Sequence, residues 1–232
     1  MCGRYSNLTP PEAMRRIYET VTGLPNVPPG YNCAPTQSLP VVRLGPQGRE
    51  LVLMRWGLVP AWSAGPEQMK ISTINARAET VAGKPTFRAA FRSRRCLVPA
   101  DGFYEWKTEG KRKQPYRFTL TDGRPFAFAG LWERWLGRNG ETLDSFTIIV
   151  TNANPLVQPV HDRMPVILPP ESWGPWLDPA NPVPGDLLAP YPAEAMTATA
   201  VSPRVNSARN NDPGCLEPEQ PRLFEDPATG SR

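Results

Sequence analysis

Four short stretches of the chain hold side chains suited to chemistry. Cys2 directly follows Met1 in MCGRYSN. Removal of Met1 would give one residue two nucleophiles, an α-amine and a thiol on neighbouring carbons. In Ser72–Thr80, strand-like alternation places Asn75, Arg77 and Glu79 on one face. Such a row of amide, guanidinium and carboxylate suits a site, and equally a solvated surface. Glu105 follows an apolar run and stands among aromatics in Phe103-Tyr104-Glu105-Trp106. A carboxyl in apolar surroundings has a raised pKa and can act as a general acid near neutral pH; on a sheet edge it is an ordinary exposed glutamate. His161, the sole histidine, lies between Val160 and Asp162-Arg163, just before an apolar strand. Its pKa suits proton transfer near pH 7, although a structural place is as compatible with the pattern.

Composition narrows the choices. The 232 residues suffice for one substantial core, and no stretch approaches the ~18 apolar residues of a membrane span. The start of the chain shows no signal-peptide pattern, so the expected location is cytoplasmic. Cys2, Cys33, Cys96 and Cys215 are widely spaced, which suggests neither a zinc site nor a disulfide framework. Cys33 and Cys96 sit in apolar runs and read as core residues. With one histidine, no multi-histidine metal site is expected, nor any cofactor. Charge is asymmetric. Residues 1–120 hold 18 Lys+Arg against 8 Asp+Glu, a balance of +10, and residues 121–232 hold 8 against 14, a balance of −6. The 21 arginines among 26 basic residues offer planar forks for phosphate. A basic, arginine-rich half fits a nucleic-acid partner, and fits a merely solvated surface too.

The elements that must position these groups are mostly strands. Thr9-Pro10-Pro11-Glu12 reads as the start of a short helix running to Val21. Strands are expected at Pro40–Leu44 and Glu50–Gly57, joined by a Gly-Pro-Gln-Gly turn. Further strands are Cys96–Pro99, Phe103–Lys107, Pro115–Leu120, Phe126–Trp132, Ser145–Thr151 and Met164–Leu168. Helical spacing over Thr86–Arg95 puts Phe87, Ala90 and Phe91 on one side, and Pro170–Leu177 reads as another short helix. The connections are too short for βαβ crossovers. The expected fold is α+β: a β-rich single domain over residues 1–217, with a curved, barrel-like sheet and a few short helices. Residues 218–232 read as a polar, loosely held tail.

Taken together, the segments MCGRYS, YNCAPTQ, MRWGLVPAW, INARAET, CLVPADGFYEW, TIIVT, VHDRMPVIL and VSPRVNSARN resemble, in order, the SRAP family. These are the SOS response-associated peptidases, also described as abasic-site processing proteins. The resemblance implies loss of Met1 and a covalent bond from Cys2 to an abasic site in single-stranded DNA. It assigns Asn75 to holding the nucleophile and sugar, Glu105 to proton transfer, and His161 to opening of the sugar ring. It assigns Arg4, Arg77 and Arg163 to flanking phosphates, and Trp62 to base stacking. The protein is further expected to be a monomer in the cytoplasm, associated with the nucleoid, with no membrane and no obligate protein partner. One departure concerns the tryptophan loop: Ser63 and Ala64 follow Trp62 where some members carry a second aromatic, which puts a wedge of paired rings in doubt. Two other readings stand beside this one. One is a thiol peptidase with Cys2 as nucleophile and His161 as base; the other is a DNA-binding module without chemistry, whose binding would be salt-sensitive.

Overall fold

The computed structural model describes residues 2–22, 26–69, 72–110, 112–181 and 185–219. The strands are β1 (Tyr5–Asn7), β2 (Gly30–Cys33), β3 (Ser38–Gly45), β4 (Gly48–Trp56), β5 (Asn75–Arg77), β6 (Arg95–Ala100) and β7 (Gly102–Glu109). They continue with β8 (Arg112–Leu120), β9 (Phe126–Leu136), β10 (Thr142–Asn152), β11 (Arg163–Pro165), β12 (Ile167–Leu168) and β13 (Met196–Ala200). The α-helices are α1 (Pro11–Tyr18), α2 (Arg88–Ser93) and α3 (Trp173–Leu177).

Five strands close on themselves. β10 pairs β4 in parallel, β4 pairs β3, β3 pairs β6, β6 pairs β9, and β9 returns to β10. This ring is the expected barrel-like sheet, and closure leaves its five members without a free edge over the paired length. A second sheet runs in the order β13-β8-β7-β1-β2. The β3–β4 hairpin turns at Pro46-Gln47. It ends on Gly48 at φ +137°, backbone that an L side chain would strain.

The period-two alternation of the ring strands splits the core in two. Val41, Cys96, Val98, Phe128, Phe146 and Ile148 join Tyr5, Phe103 and Phe118 of the second sheet, and Cys2 just ahead of it. Their neighbours Val42, Leu97, Ala129 and Ile149 pack with Met14 and Tyr18 of α1, Phe91 of α2, and Trp173 and Trp176 of α3. The ring thus packs one face on a sheet and the other on helices. Each fully buried aromatic contributes about 1.5–3 kcal/mol, and Phe103 stacks on Phe118 with centroids 5.0 Å apart.

Several expectations are revised. α1 ends at Tyr18, with Glu19 in the left-handed region, rather than at Val21. Its N-cap is Pro10, and no side chain caps the helix there. The apolar run Met164–Leu168 divides into β11, on β10, and β12, on β9. β1, β2 and β13 are additional strands. Cys33 and Cys96 are buried free thiols in the core, as are Cys2 and Cys215. Pro218 bridges to Val201, and residues 220–232 of the expected tail lie outside the described residues. Among the described residues no helix is long and apolar enough to cross a membrane.

Candidate active site

The strand pair β1–β7 positions the first two groups. Tyr5 pairs with Phe103 and Ser6 with Gly102, and the Tyr104 N–H donates to the Arg4 carbonyl at 3.0 Å. Running antiparallel, this ladder carries Glu105 toward the end of the chain that holds Cys2. Glu105 has the parity of Phe103, so its side chain takes the same core face. It is 3% exposed and lies across the β7–β8 ladder from Tyr116. Burial pushes its carboxyl up to about 7, and the Asp162 charge adds to the rise.

Cys2 is fully buried. Its Sγ donates to the Arg4 carbonyl at 3.8 Å. Burial raises the thiol pKa far above its usual range, and the neighbouring Glu105 charge works in the same direction. The thiol is therefore neutral while buried here.

Asn75 arrives from another direction. β5 runs parallel to β10 with Asn75 in register with Ile148. In-register residues of parallel strands face the same way, so Asn75 shares the face of Ile148, which belongs to the cluster holding Cys2. The indole of Trp56 fixes the approach by donating to the Ile74 carbonyl at 2.9 Å. Among the described residues, neither Oδ1 nor Nδ2 of the buried Asn75 has a hydrogen-bond partner. A buried amide left so costs about 1–3 kcal/mol, and its two polar atoms are open to a partner that enters the site.

His161 closes a turn built by Asn154. The Asn154 Oδ1 accepts from the N–H groups of Leu156 and Val157, at 3.1 and 3.0 Å. Its Nδ2 donates to the Tyr191 carbonyl at 2.8 Å. The Arg163 N–H donates to His161 Nδ1 at 3.0 Å. That bond assigns the proton of the neutral ring to Nε2. Burial lowers the His161 pKa; Asp162, with Oδ1 2.9 Å from Nδ1, opposes it. Asp162 is 84% exposed and its charge is screened by solvent, so burial prevails and the ring is neutral near pH 7.

Of the expected phosphate contacts, Arg77 is exposed at the end of β5, and Arg163 forms an ion pair with Glu79. Arg4 turns toward the late segment. Its Nη1 donates to Asn32 Oδ1 at 2.9 Å and to the Val205 carbonyl at 2.7 Å. Trp62 is 70% exposed in a turn held by Ser63, whose hydroxyl donates to Pro60 and whose carbonyl accepts from Trp135. The Glu105 charge therefore acts on Cys2, the Asp162 charge acts on Glu105, and Asn75 shares the Cys2 core face. Trp62 stands on a separate loop. Sequence reasoning missed Asn154 and Asn32. The signal for Asn32 was present, a polar residue in the strand-like stretch Tyr31-Asn32-Cys33.

A family model described as SOS response associated peptidase (SRAP) matches residues 1–208. The chain belongs to the SRAP family. Among its relatives is the abasic site processing protein YoqW of Bacillus subtilis, 42% identical over 94% of this chain and 99% of that one. The abasic site processing protein HMCES of Xenopus tropicalis is 34% identical over 93% and 78%. A crystal structure of a protein from Bacteroides thetaiotaomicron superposes with a TM-score of 0.86 at 28% identity, covering 94% of this chain and all of that one. Among the described residues of this SRAP chain, no cluster of His, Cys, Asp and Glu could hold a metal ion.

Proposed function

We propose that this protein processes abasic sites in single-stranded DNA by bonding to them through Cys2 once Met1 has been removed. The observation that carries this reading is the placement of Cys2, the second residue of the chain, against a buried carboxyl with a pKa of about 7. The names of its SRAP relatives point to the same lesion.

The α-amine of mature Cys2, with an ordinary pKa of about 7.7–8.0, is partly neutral at physiological pH. It attacks the C1′ aldehyde of the opened sugar to give a carbinolamine, which loses water to give an iminium ion. The thiol adds to the iminium carbon, and a five-membered thiazolidine closes. One water leaves in all, and no oxidant is needed. Glu105 supplies the proton that lets water depart and takes the thiol proton as the ring closes. His161, with its proton on Nε2, donates to the sugar oxygen as the hemiacetal opens. The orphan amide of Asn75 holds the amine and the sugar. Arg77, Arg163 and the guanidinium edge of Arg4 not already bonded meet flanking phosphates, and Trp62 stacks on a base. The iminium stage also permits β-elimination, so slow strand nicking accompanies crosslinking. The protein acts as a monomer in the cytoplasm, at the nucleoid.

A thiol peptidase needs a readily ionised cysteine. Burial of Cys2 works against that, and the aminothiol reading does not require it.

The test is a denaturing gel of protein, shown by intact mass to lack Met1, incubated with an oligonucleotide carrying a uracil-derived abasic site. A shifted band is expected with the wild type, none with Cys2→Ala, and a labile one with Cys2→Ser. An unshifted wild-type band overturns the proposal.

A further inference from the structure

The late segment Val201–Asn210 is one of the stretches that carries the family resemblance, yet no step of the chemistry uses it. Its contacts give it a purpose. Asn32 on β2 is fully buried, and its Nδ2 lies within bonding distance of three carbonyls of this segment. These are Val205 at 3.2 Å, Ser207 at 3.0 Å and Asn210 at 2.9 Å. Its Oδ1 accepts from Arg4 Nη1, and Arg4 Nη1 also donates to the Val205 carbonyl. Asn211 Oδ1 accepts the N–H groups of Tyr31 and Asn32 at 2.7 and 3.0 Å. On the far side, Asn206 Oδ1 accepts from the Trp106 indole at 2.7 Å. The segment is a strap across two strands: it grips Arg4, two residues from the nucleophile, and Trp106, adjacent to Glu105.

Arg4 transmits this grip. Its guanidinium is fixed by Asn32 and Val205. Its carbonyl accepts both the Cys2 thiol and the Tyr104 N–H. We infer that Asn32 is a positioning residue for the crosslinking reaction. By locking the strap onto Arg4, it sets where Cys2 stands relative to Glu105, while touching no substrate itself. A buried amide with this many partners leaves no slack, and displacement of a reacting group by about 1 Å costs on the order of 100-fold in rate.

The inference rests on the proposed crosslinking, and two readouts keep the two ideas apart. The first is DNA-free: mature protein is labelled with a thiol-reactive disulfide, and the labelled peptides are located by mass spectrometry. In Asn32→Ala, the labelling rate at Cys2 is expected to rise at least 10-fold, while that at Cys96, buried in the ring core, stays within 2-fold. The second is single-turnover crosslinking at saturating abasic oligonucleotide, which is expected to slow at least 10-fold. Affinity for an oligonucleotide with a tetrahydrofuran abasic analogue, which cannot react, is expected to stay within 3-fold. Asn211→Ala, an exposed change that loosens the same strap, is expected to act in the same direction by a smaller factor if Asn32→Ala does not fold. Equal gains in labelling at Cys2 and Cys96 would mean general destabilisation and would overturn the inference, as would wild-type labelling and crosslinking rates. Failure of wild type to crosslink would remove the proposed function while leaving the labelling result to be judged on its own.

Discussion

Asn75 stands in parallel register with Ile148, and that pairing carries an unpartnered amide into the same core that buries Cys2. The amide holds both polar atoms in reserve at an energetic cost. Asn75→Ala is therefore expected to abolish or slow crosslinking by at least 10-fold without lowering stability, and to raise it by up to about 1–2 kcal/mol as the desolvated amide is removed. Chemical denaturation beside the gel assay checks both halves. A large loss of stability would show that the amide is structural.

Glu105 makes stability depend on pH. In the folded chain it keeps its proton up to about pH 7, against an ordinary value of 4.5. Between these values the folded state binds the extra proton, so this contribution is fully present below pH 4.5 and is lost as pH rises through 7. The shift corresponds to roughly 3 kcal/mol. Wild type should lose urea resistance between pH 5 and 8 relative to Glu105→Gln, whose curve should be flatter. The same variant should lose the limb of the crosslinking pH–rate profile near 7.

Trp62 is exposed on a turn held by its neighbours, so its ring contributes little to folding. Trp62→Ala is expected to weaken binding of single-stranded DNA by about 1–3 kcal/mol, the usual worth of one stacked base. Its melting temperature should match the wild type. Fluorescence anisotropy with an unreactive abasic analogue measures the first, and circular dichroism the second.

Arg77 and Arg163 differ in their surroundings: Arg77 is exposed, and Arg163 is tied to Glu79. Arg77→Ala should reduce the slope of log affinity against log salt by about 0.7, the value for one phosphate on a single strand. Glu79→Gln, which frees Arg163, should tighten binding at low salt. Titrations across a range of salt concentrations decide both.

Much of this architecture could be read from the chain because it is local. The β3–β4 and β7–β8 hairpins, the ring strands and the buried face of α2 all follow from alternation, turns and spacing. Closure of the ring could not be read so. It depends on β4 lying parallel to β10, and no local pattern specifies a pairing between strands about ninety residues apart. β1, three residues long, is too short to show a period, and its pairing with β2 and β7 rests on partners far along the chain. The site divides along similar lines. Glu105 was conspicuous as a carboxyl among aromatics, and its burial follows from its parity with Phe103. Cys2, Asn75 and His161 were each ambiguous alone and acquired meaning through the family resemblance. Asn32 escaped notice because its side-chain partners other than Arg4 lie more than 170 residues away, in a segment without a periodic pattern.

β1 lies between β2 and β7 in its sheet, so the strand that begins three residues after Cys2 is enclosed from both sides. During synthesis β7 does not yet exist when the N-terminus leaves the ribosome. At roughly 5–20 residues per second, the first hundred residues take on the order of 5–20 seconds. Throughout that interval β1, which begins three residues after Cys2, lacks its β7 partner.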